Sequence, residues 1–267
     1  MQKFFSDVYI IWSRELIRFW RNKVRVLSGF SFPILWLAVF GTGLSASLSL
    51  PVPGVKFIDF LFPGVISQYT IFIAMFGAIS ILQDREFGFL KEILVSPSSR
   101  TAIALGKILG GASSAFLQAL PIIILGALMG ISVSLLMLLA LIPAMILLAI
   151  ALSALGVAIV SPMKSLDAGQ YIFQFITFPI TMLSGAFFPL RNLPLWLDIL
   201  TKINPLSYTV DLMRRIVFTF ADMPPEAVTA LSPVIGGRVP SIAFEVVVTL
   251  AFCVAMTFIA SLAFRKS

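Results

Sequence analysis

The residues of this chain that could do chemistry are few, and the densest group of them is the stretch QDREFGFLKEILVSPSSRTAIALGK, Gln83 to Lys107. It places six charges between Asp84 and Arg100, and the apolar runs on either side carry none. Phe87, Leu90 and Leu94 share one face of a helix drawn through it, with Glu86 and Glu92 available for charge contacts. Such a face could fill the cleft of a partner protein. An amphipathic loop helix on a membrane surface has the same periodicity, and spacing alone leaves the two readings open. Elsewhere Asp211 and Arg214 stand three apart, a spacing that ordinarily makes an ion pair on a surface helix. There is no histidine, and the single cysteine is Cys253, so no metal cluster, disulfide framework or imidazole base is expected.

The missing motifs narrow the function. No Gly-x-x-x-x-Gly-Lys-[Ser/Thr] phosphate loop occurs, so the chain is not expected to bind ATP that way. His-Glu-x-x-His and Gly-x-Ser-x-Gly are absent as well, and the chain reads as a non-enzyme with no catalytic residue. Centres of the predicted spans hold no carboxylate, as an ion-coupled carrier would need, and there is neither an arginine-rich span nor a Gly-Tyr-Gly filter loop. By elimination, any driving force comes from another subunit, and the charged elbow is where it could act.

The elements that must position these residues are membrane helices. Of 267 residues 59% are hydrophobic and 12% charged, and the mean hydropathy is +1.04, too little polar surface for a soluble globule. Charge-free stretches run from Val26 to Val55, Phe60 to Gln83, Ile108 to Met163, Ala168 to Leu190 and Val246 to Phe264. The third, 56 residues long, exceeds one crossing and holds a hairpin signal at Met129-Gly130-Ile131-Ser132. The runs lack the alternation of a barrel strand. The prediction is six transmembrane helices, about 27–48, 61–82, 101–129, 133–160, 169–188 and 242–264. The N-terminus, the elbow, the Lys164 turn and the C-terminus together carry 13 Lys/Arg against 6 on the other side, which places both termini in the cytoplasm. The net charge of +7 then fits contact with membrane lipids and not with nucleic acid.

Residues 1–26 are too charged to cross. On a helix Lys3, Asp7, Arg14, Arg18, Arg21 and Arg25 form one stripe, with Phe5, Val8, Trp12, Leu16, Phe19 and Trp20 opposite. That division predicts an interfacial amphipathic helix, with Trp12 and Trp20 toward the bilayer and the arginines toward headgroups, although a plain topology signal also carries basic residues there. Gly106-xxx-Gly110-xxx-Ser114 gives the third span a face of small residues, suited equally to packing within the chain or against a second copy. Between spans five and six, residues 190–220 remain apolar but are broken by Pro194 and Pro205, which predicts short re-entrant helices; 221–241 reads as an outer loop.

Two segments carry a family likeness. Asp84 to Pro97, followed by Arg100 and Gly106-Lys107, resembles the elbow motif of the ABC-2 type transporter permeases, closest to their daunorubicin-resistance-like drug-export branch. Asn204-Pro205-Leu206-Ser207-Tyr208, then Arg214, is similar to the signature these permeases carry between spans five and six. The likeness covers essentially the whole chain. It implies an all-α integral membrane protein of 27–267 behind the N-terminal helix, with a coupling helix at 84–96. It also implies two copies of a separate ATP-binding cassette subunit that bind ATP and magnesium, so that this chain holds no cofactor, and a second permease copy in a homodimer. Glu86, Phe87, Gly88, Leu90, Glu92 and Leu94 would contact the ATPase, and Asn204, Pro205 and Tyr208 would shape an outer gate. The implied function is export across the cell membrane of a hydrophobic or amphipathic compound, drug or lipid-like. A lipid-linked polysaccharide is the alternative cargo, with Phe72, Phe76, Phe173, Phe175 and Phe178 as candidate pathway aromatics; a membrane scaffold is a further reading.

Overall fold

A computed structural model of the protein describes residues 2–43, 54–89, 99–221, 223–235 and 237–266. Leu90, Glu92 and Leu94, the end of the first predicted span and Pro51 to Pro53 lie outside the described residues. Among the described residues the chain is all-α, with a single backbone bridge between Ile235 and Arg238 and no sheet. Four helical stretches of the described residues are long and apolar enough to cross a membrane: Phe57–Glu86, Arg100–Leu128, Leu135–Val160 and Ile242–Arg265.

The N-terminal helix α1 (Gln2–Arg21) is followed by α2 (Lys23–Gly29), α3 (Ser31–Leu35) and a π-helical stretch, Trp36–Thr42, along the first predicted span. Trp36 stacks on Phe32 and Phe40 there and meets the edge of Phe187. The second span divides at Ala78 into α4 (Phe57–Gly77) and α5 (Ile79–Glu86). The third and fourth are α6 (Arg100–Leu128) and α7 (Leu135–Val160), each started by a serine whose Oγ accepts a backbone N–H: Ser99 from Ala102 and Ser134 from Met137.

The fifth predicted span is shorter than its sequence suggests. Helix α8 (Leu166–Met182) stops well before residue 188, because the chain turns through Gly185 at φ +76° and carries Ala186 against Gly64 of α4. A Cβ at position 64 would collide with the Ala186 carbonyl, so the close approach depends on that glycine. Helices α9 (Leu195–Ile203), α10 (Pro205–Phe220) and α11 (Pro225–Leu231) follow, and α12 (Ile242–Lys266) closes the chain.

Helices α4, α6 and α7 form the centre. They cross where Gly77 faces Gly111 and Gly156 faces Met75 and Ala78, the place where the second span breaks. Small residues let backbones approach closely in an apolar solvent, where packing and interhelical polar contacts drive association. Helix α12 lies against α7 and α10 and turns Val247, Val254 and Phe258 outward, as a helix facing lipid tails would.

Candidate functional site

The small-residue face of α6 is covered by α1. A Cβ on Gly106 would meet Ile11, and one on Gly110 would meet the Glu15 side chain. Trp12 Nε1 donates to Ser113 Oγ at 3.0 Å. Ile11, Glu15 and Phe19 of α1 are buried, a four-residue repeat that forms one helical stripe. This corrects the expected division of the helix. Part of its apolar face packs on protein, with Phe19 buried and Trp12 half-buried, and Phe5, Tyr9 and Trp20 remain exposed. The equal choice left at Gly106-xxx-Gly110 is decided here in favour of packing within the chain.

Packing α1 on α6 brings charge into the joint. Lys107, with its side chain 1% exposed, donates to Glu15 Oε1 at 2.6 Å, to Asp84 Oδ2 at 2.5 Å and to Ser80 Oγ at 3.3 Å. Asp84, the last buried residue of α5, also accepts from Arg14 at 2.5 Å and Arg18 at 3.2 Å, and Arg18 reaches Gln83 Oε1 at 2.8 Å. One carboxylate therefore ties three elements together: the N-terminal helix, the end of the second span and the start of the third. A buried ion is tolerated only when paired and hydrogen-bonded, which fixes the relative placement of all three.

The other charges flanking the elbow hold its neighbours. Arg85 donates to the carbonyls of Ser161, at 3.0 Å, and Met163, at the C-terminus of α7. Arg100 donates to the carbonyl of Arg265 at the end of α12. Both guanidinium groups satisfy carbonyls that a helix end leaves unpaired. What faces outward is Glu86, Phe87 at 70% exposure, and Phe89. Asp84 to Glu86 finish the helix of the second span, and Gly88, at φ +81°, turns the chain. The helix predicted over 84–96 is thus interrupted, because a left-handed glycine ends the hydrogen-bonded run. Arg21 is exposed at the C-terminus of α1, and Arg25 lies in α2.

At the far end of α4, helix α10 is seated by polar contacts. Asn204 caps it, its Oδ1 accepting from Leu206 N at 3.1 Å while its Nδ2 donates to Ile180 O at 2.8 Å. Pro205 occupies the first turn, where its missing N–H is not needed. Ser207 donates to Leu183 O, and Tyr208 OH donates to Lys202 O at 2.7 Å. Asn204→Ala should lower the unfolding free energy by about 1–2 kcal/mol, and Asn204→Asp, which keeps the cap but loses the donor to Ile180, by less. Thermal unfolding of the two purified variants in one detergent checks the order.

Asp211 and Arg214 do pair, at 3.5 Å, but not on a surface helix: both are buried. Arg214 also donates to Gly185 O and sits 4.2 Å from the centroid of the Phe60 ring. Arg215 bridges Asp211, at 2.8 Å, to Glu245 of α12, at 2.9 Å, and donates to Pro240 O at 2.6 Å. Helix α10 is amphipathic, but its polar side meets polar groups of neighbouring helices where the sequence reading expected solvent. Among the described residues no three Asp, Glu or Cys converge as a metal ion would require.

Comparison with known proteins identifies this arrangement. The family model described as ABC-2 type transporter matches residues 6–218, most of the chain. The chain belongs to the ABC-2 transporter family. Two of three relatives are named as permeases. A "putative transport permease ycf38" of Cyanophora paradoxa is 28% identical over 226 residues, covering 79% of this chain and 74% of that protein. "Nodulation protein J" of Rhizobium leguminosarum bv. trifolii is 28% identical over 210 residues, covering 78% and 79%. The "probable multidrug ABC transporter permease YbhR" of Escherichia coli (strain K12) is 28% identical over 174 residues, covering 64% and 47%. This ABC-2 chain is accordingly a multi-pass membrane protein and a membrane transporter subunit.

Within the ABC-2 chain the candidate pathway aromatics separate. Phe173 is fully buried beside Phe76, whereas Phe76 and the Phe72 stacked on it are half-buried, and Phe76 lines a cavity of about 310 Å³ with Gln83 and Gln170. Phe175 and Phe178 are exposed beside Tyr171 and Gln174 on α8, lining a cavity of about 590 Å³. The sequence reading missed Glu15, which falls in phase with the apolar stripe of α1, and the Arg215–Glu245 bridge. A charge in register with a buried stripe was the available signal for the first. For the second, 30 residues of separation left none.

Proposed function

We propose that this chain is the permease subunit of an ATP-binding cassette exporter, driven at its elbow by a separate ATP-hydrolysing subunit. The observation that carries the reading is the Asp84 cluster: exposed Glu86 and Phe87 are joined through a buried ion network to the N-terminal helix and the third span. A push on the exposed tip would then reach two other elements through rigid contacts, which a loose surface loop would dissipate. Family membership supports the ATP-binding partner, expected in two copies with two permeases, both termini in the cytoplasm and the protein in the cell membrane. The name of the YbhR relative supports a drug-like cargo, and so does a set of spans free of mid-span charge. A lipid-linked polysaccharide is the second reading, favoured by the exposed Tyr171, Phe175 and Phe178 on α8, on which sugar rings could stack. The family match tells against a scaffold.

The test is ATP hydrolysis in vesicles containing the chain and its candidate ATP-binding subunit, with amphiphilic drugs and lipid-linked sugars supplied in turn. Stimulation by one cargo class, lost in Glu86→Ala and Leu94→Ala while the complex still forms, is the expected result and names the cargo. A chain that leaves the subunit's hydrolysis unchanged with every cargo contradicts the proposal.

A further inference from the structure

A cavity of about 750 Å³ opens between the C-terminal half of α1, the start of α2 and the elbow. Its rim is basic: Arg14, Arg18, Arg21 and Lys23 line it, with Asp84 as the acidic member. In the joint behind it three cations, Arg14, Arg18 and Lys107, meet two carboxylates, Glu15 and Asp84, leaving one positive charge in excess before Arg21 and Lys23 are added. Apart from Asn22, the remaining wall is apolar, formed by Ile17, Val24, Phe87 and Phe89, all exposed.

Its place in the fold determines what such a cavity meets. Asp84 lies near the end of one candidate span, and Lys23 opens the helical run that becomes the first apolar segment. The cavity therefore sits where apolar spans give way to polar residues, at headgroup depth. Val24 and Leu27, exposed on α2, continue its apolar wall toward the lipid-facing side. Guanidinium groups match phosphate oxygens in a planar fork, and a volume in the range of small-molecule sites accommodates a headgroup with the start of its chains.

We infer that this cavity binds the phosphate of one anionic phospholipid, its headgroup against Arg21 and Lys23 and its acyl chains along Val24 and Leu27. The inference rests on the chain spanning a membrane and is independent of the ATP-driven export reading. A bound lipid of this kind would link the elbow's position to the composition of the leaflet, because it touches α1 and α2 beside the Arg14 and Arg18 pairs to Asp84.

Native mass spectrometry of the full chain, released from micelles holding equal phosphatidylglycerol and phosphatidylcholine, tests it without the ATP-binding subunit. One phosphatidylglycerol should be retained per chain with a preference of about 10-fold or more, from two basic side chains at an anionic surface. The Arg21→Gln, Lys23→Gln variant should fall to parity. The exchanged variant, Arg21→Lys with Lys23→Arg, keeps the charge and should keep the preference, which separates loss of the site from misfolding. Parity in the wild type, or an unchanged preference in the glutamine variant, overturns the inference. Displacement of the lipid by millimolar inorganic phosphate would show a free-anion site and overturn the lipid assignment.

Discussion

Lys107→Met is expected to lower the unfolding free energy by about 3–5 kcal/mol, because removing one member of a buried ion cluster strands the others in a dry site. The ammonium is held by Glu15, Asp84 and Ser80, and without it the Glu15 carboxylate is left with Arg14 at 3.9 Å as its nearest cation. Methionine keeps the length and apolar stem of lysine, so little of the loss would come from packing. Asp84 retains Arg14 and Arg18, which confines the damage to Glu15. The double variant Lys107→Met, Glu15→Gln should then recover more than half of the loss, since the stranded charge is gone. Unfolding midpoints of the four proteins of this cycle, measured in one detergent, give the coupling. A loss below about 1 kcal/mol, or strict additivity of the two substitutions, would mean that the joint is wet and its charges screened.

Arg215→Met should be comparably damaging at the opposite end, by about 3–5 kcal/mol, for a different geometrical reason. Arg215 is the group that joins α10 to α12, and Glu245, with a fully buried side chain, takes its closest ion pair from it. Asp211 keeps Arg214 at 3.5 Å, so Glu245 is the group that loses its closest partner. Arg215→Met combined with Glu245→Gln is expected to restore most of the stability, and Glu245→Gln alone to cost less than Arg215→Met. The same unfolding measurement decides it. If the double variant is as unstable as Arg215→Met alone, the hydrogen bond from Arg215 to Pro240 O, and not the ion pair, holds the joint.

How much of this was legible in the sequence depends on the distance over which each feature is determined. Spans at 61–82, 101–129, 133–160 and 242–264 came from long charge-free runs and one hairpin signal, because a bilayer imposes length and polarity on each helix separately. The helix starts at Ser99 and Asn204 rest on equally local contacts, each cap bonding to backbone two or three residues on. The end of α8 was not readable, since an apolar run continues to Leu190 and what stops the helix is a turn at Gly185 held against Gly64. The elbow helix was drawn through Gly88 because helical periodicity on both sides hides one left-handed residue.

Charge placement shows the same limit. The arginine stripe of α1 was visible, but its partner Asp84 is about 70 residues away in sequence, so periodicity assigned Arg14 and Arg18 to headgroups. Asp211 and Arg214 were paired correctly and placed wrongly, because spacing along one helix says which groups meet but not whether other helices cover them.

The sequence by itself determined the class of the molecule, its helical content and the likeness that the family match established. These follow from composition and from contacts within a few residues. Only the tertiary structure decided that the N-terminal helix is docked on the third span through Gly106 and Gly110, and that Lys107, Glu15 and Asp84 form one buried joint. It alone decided that α10 is tied to the last span through Arg215. Each of these joins residues far apart in the chain, and such pairing is set by which helices can approach closely enough to exclude water, a property of the packed bundle and of no single segment.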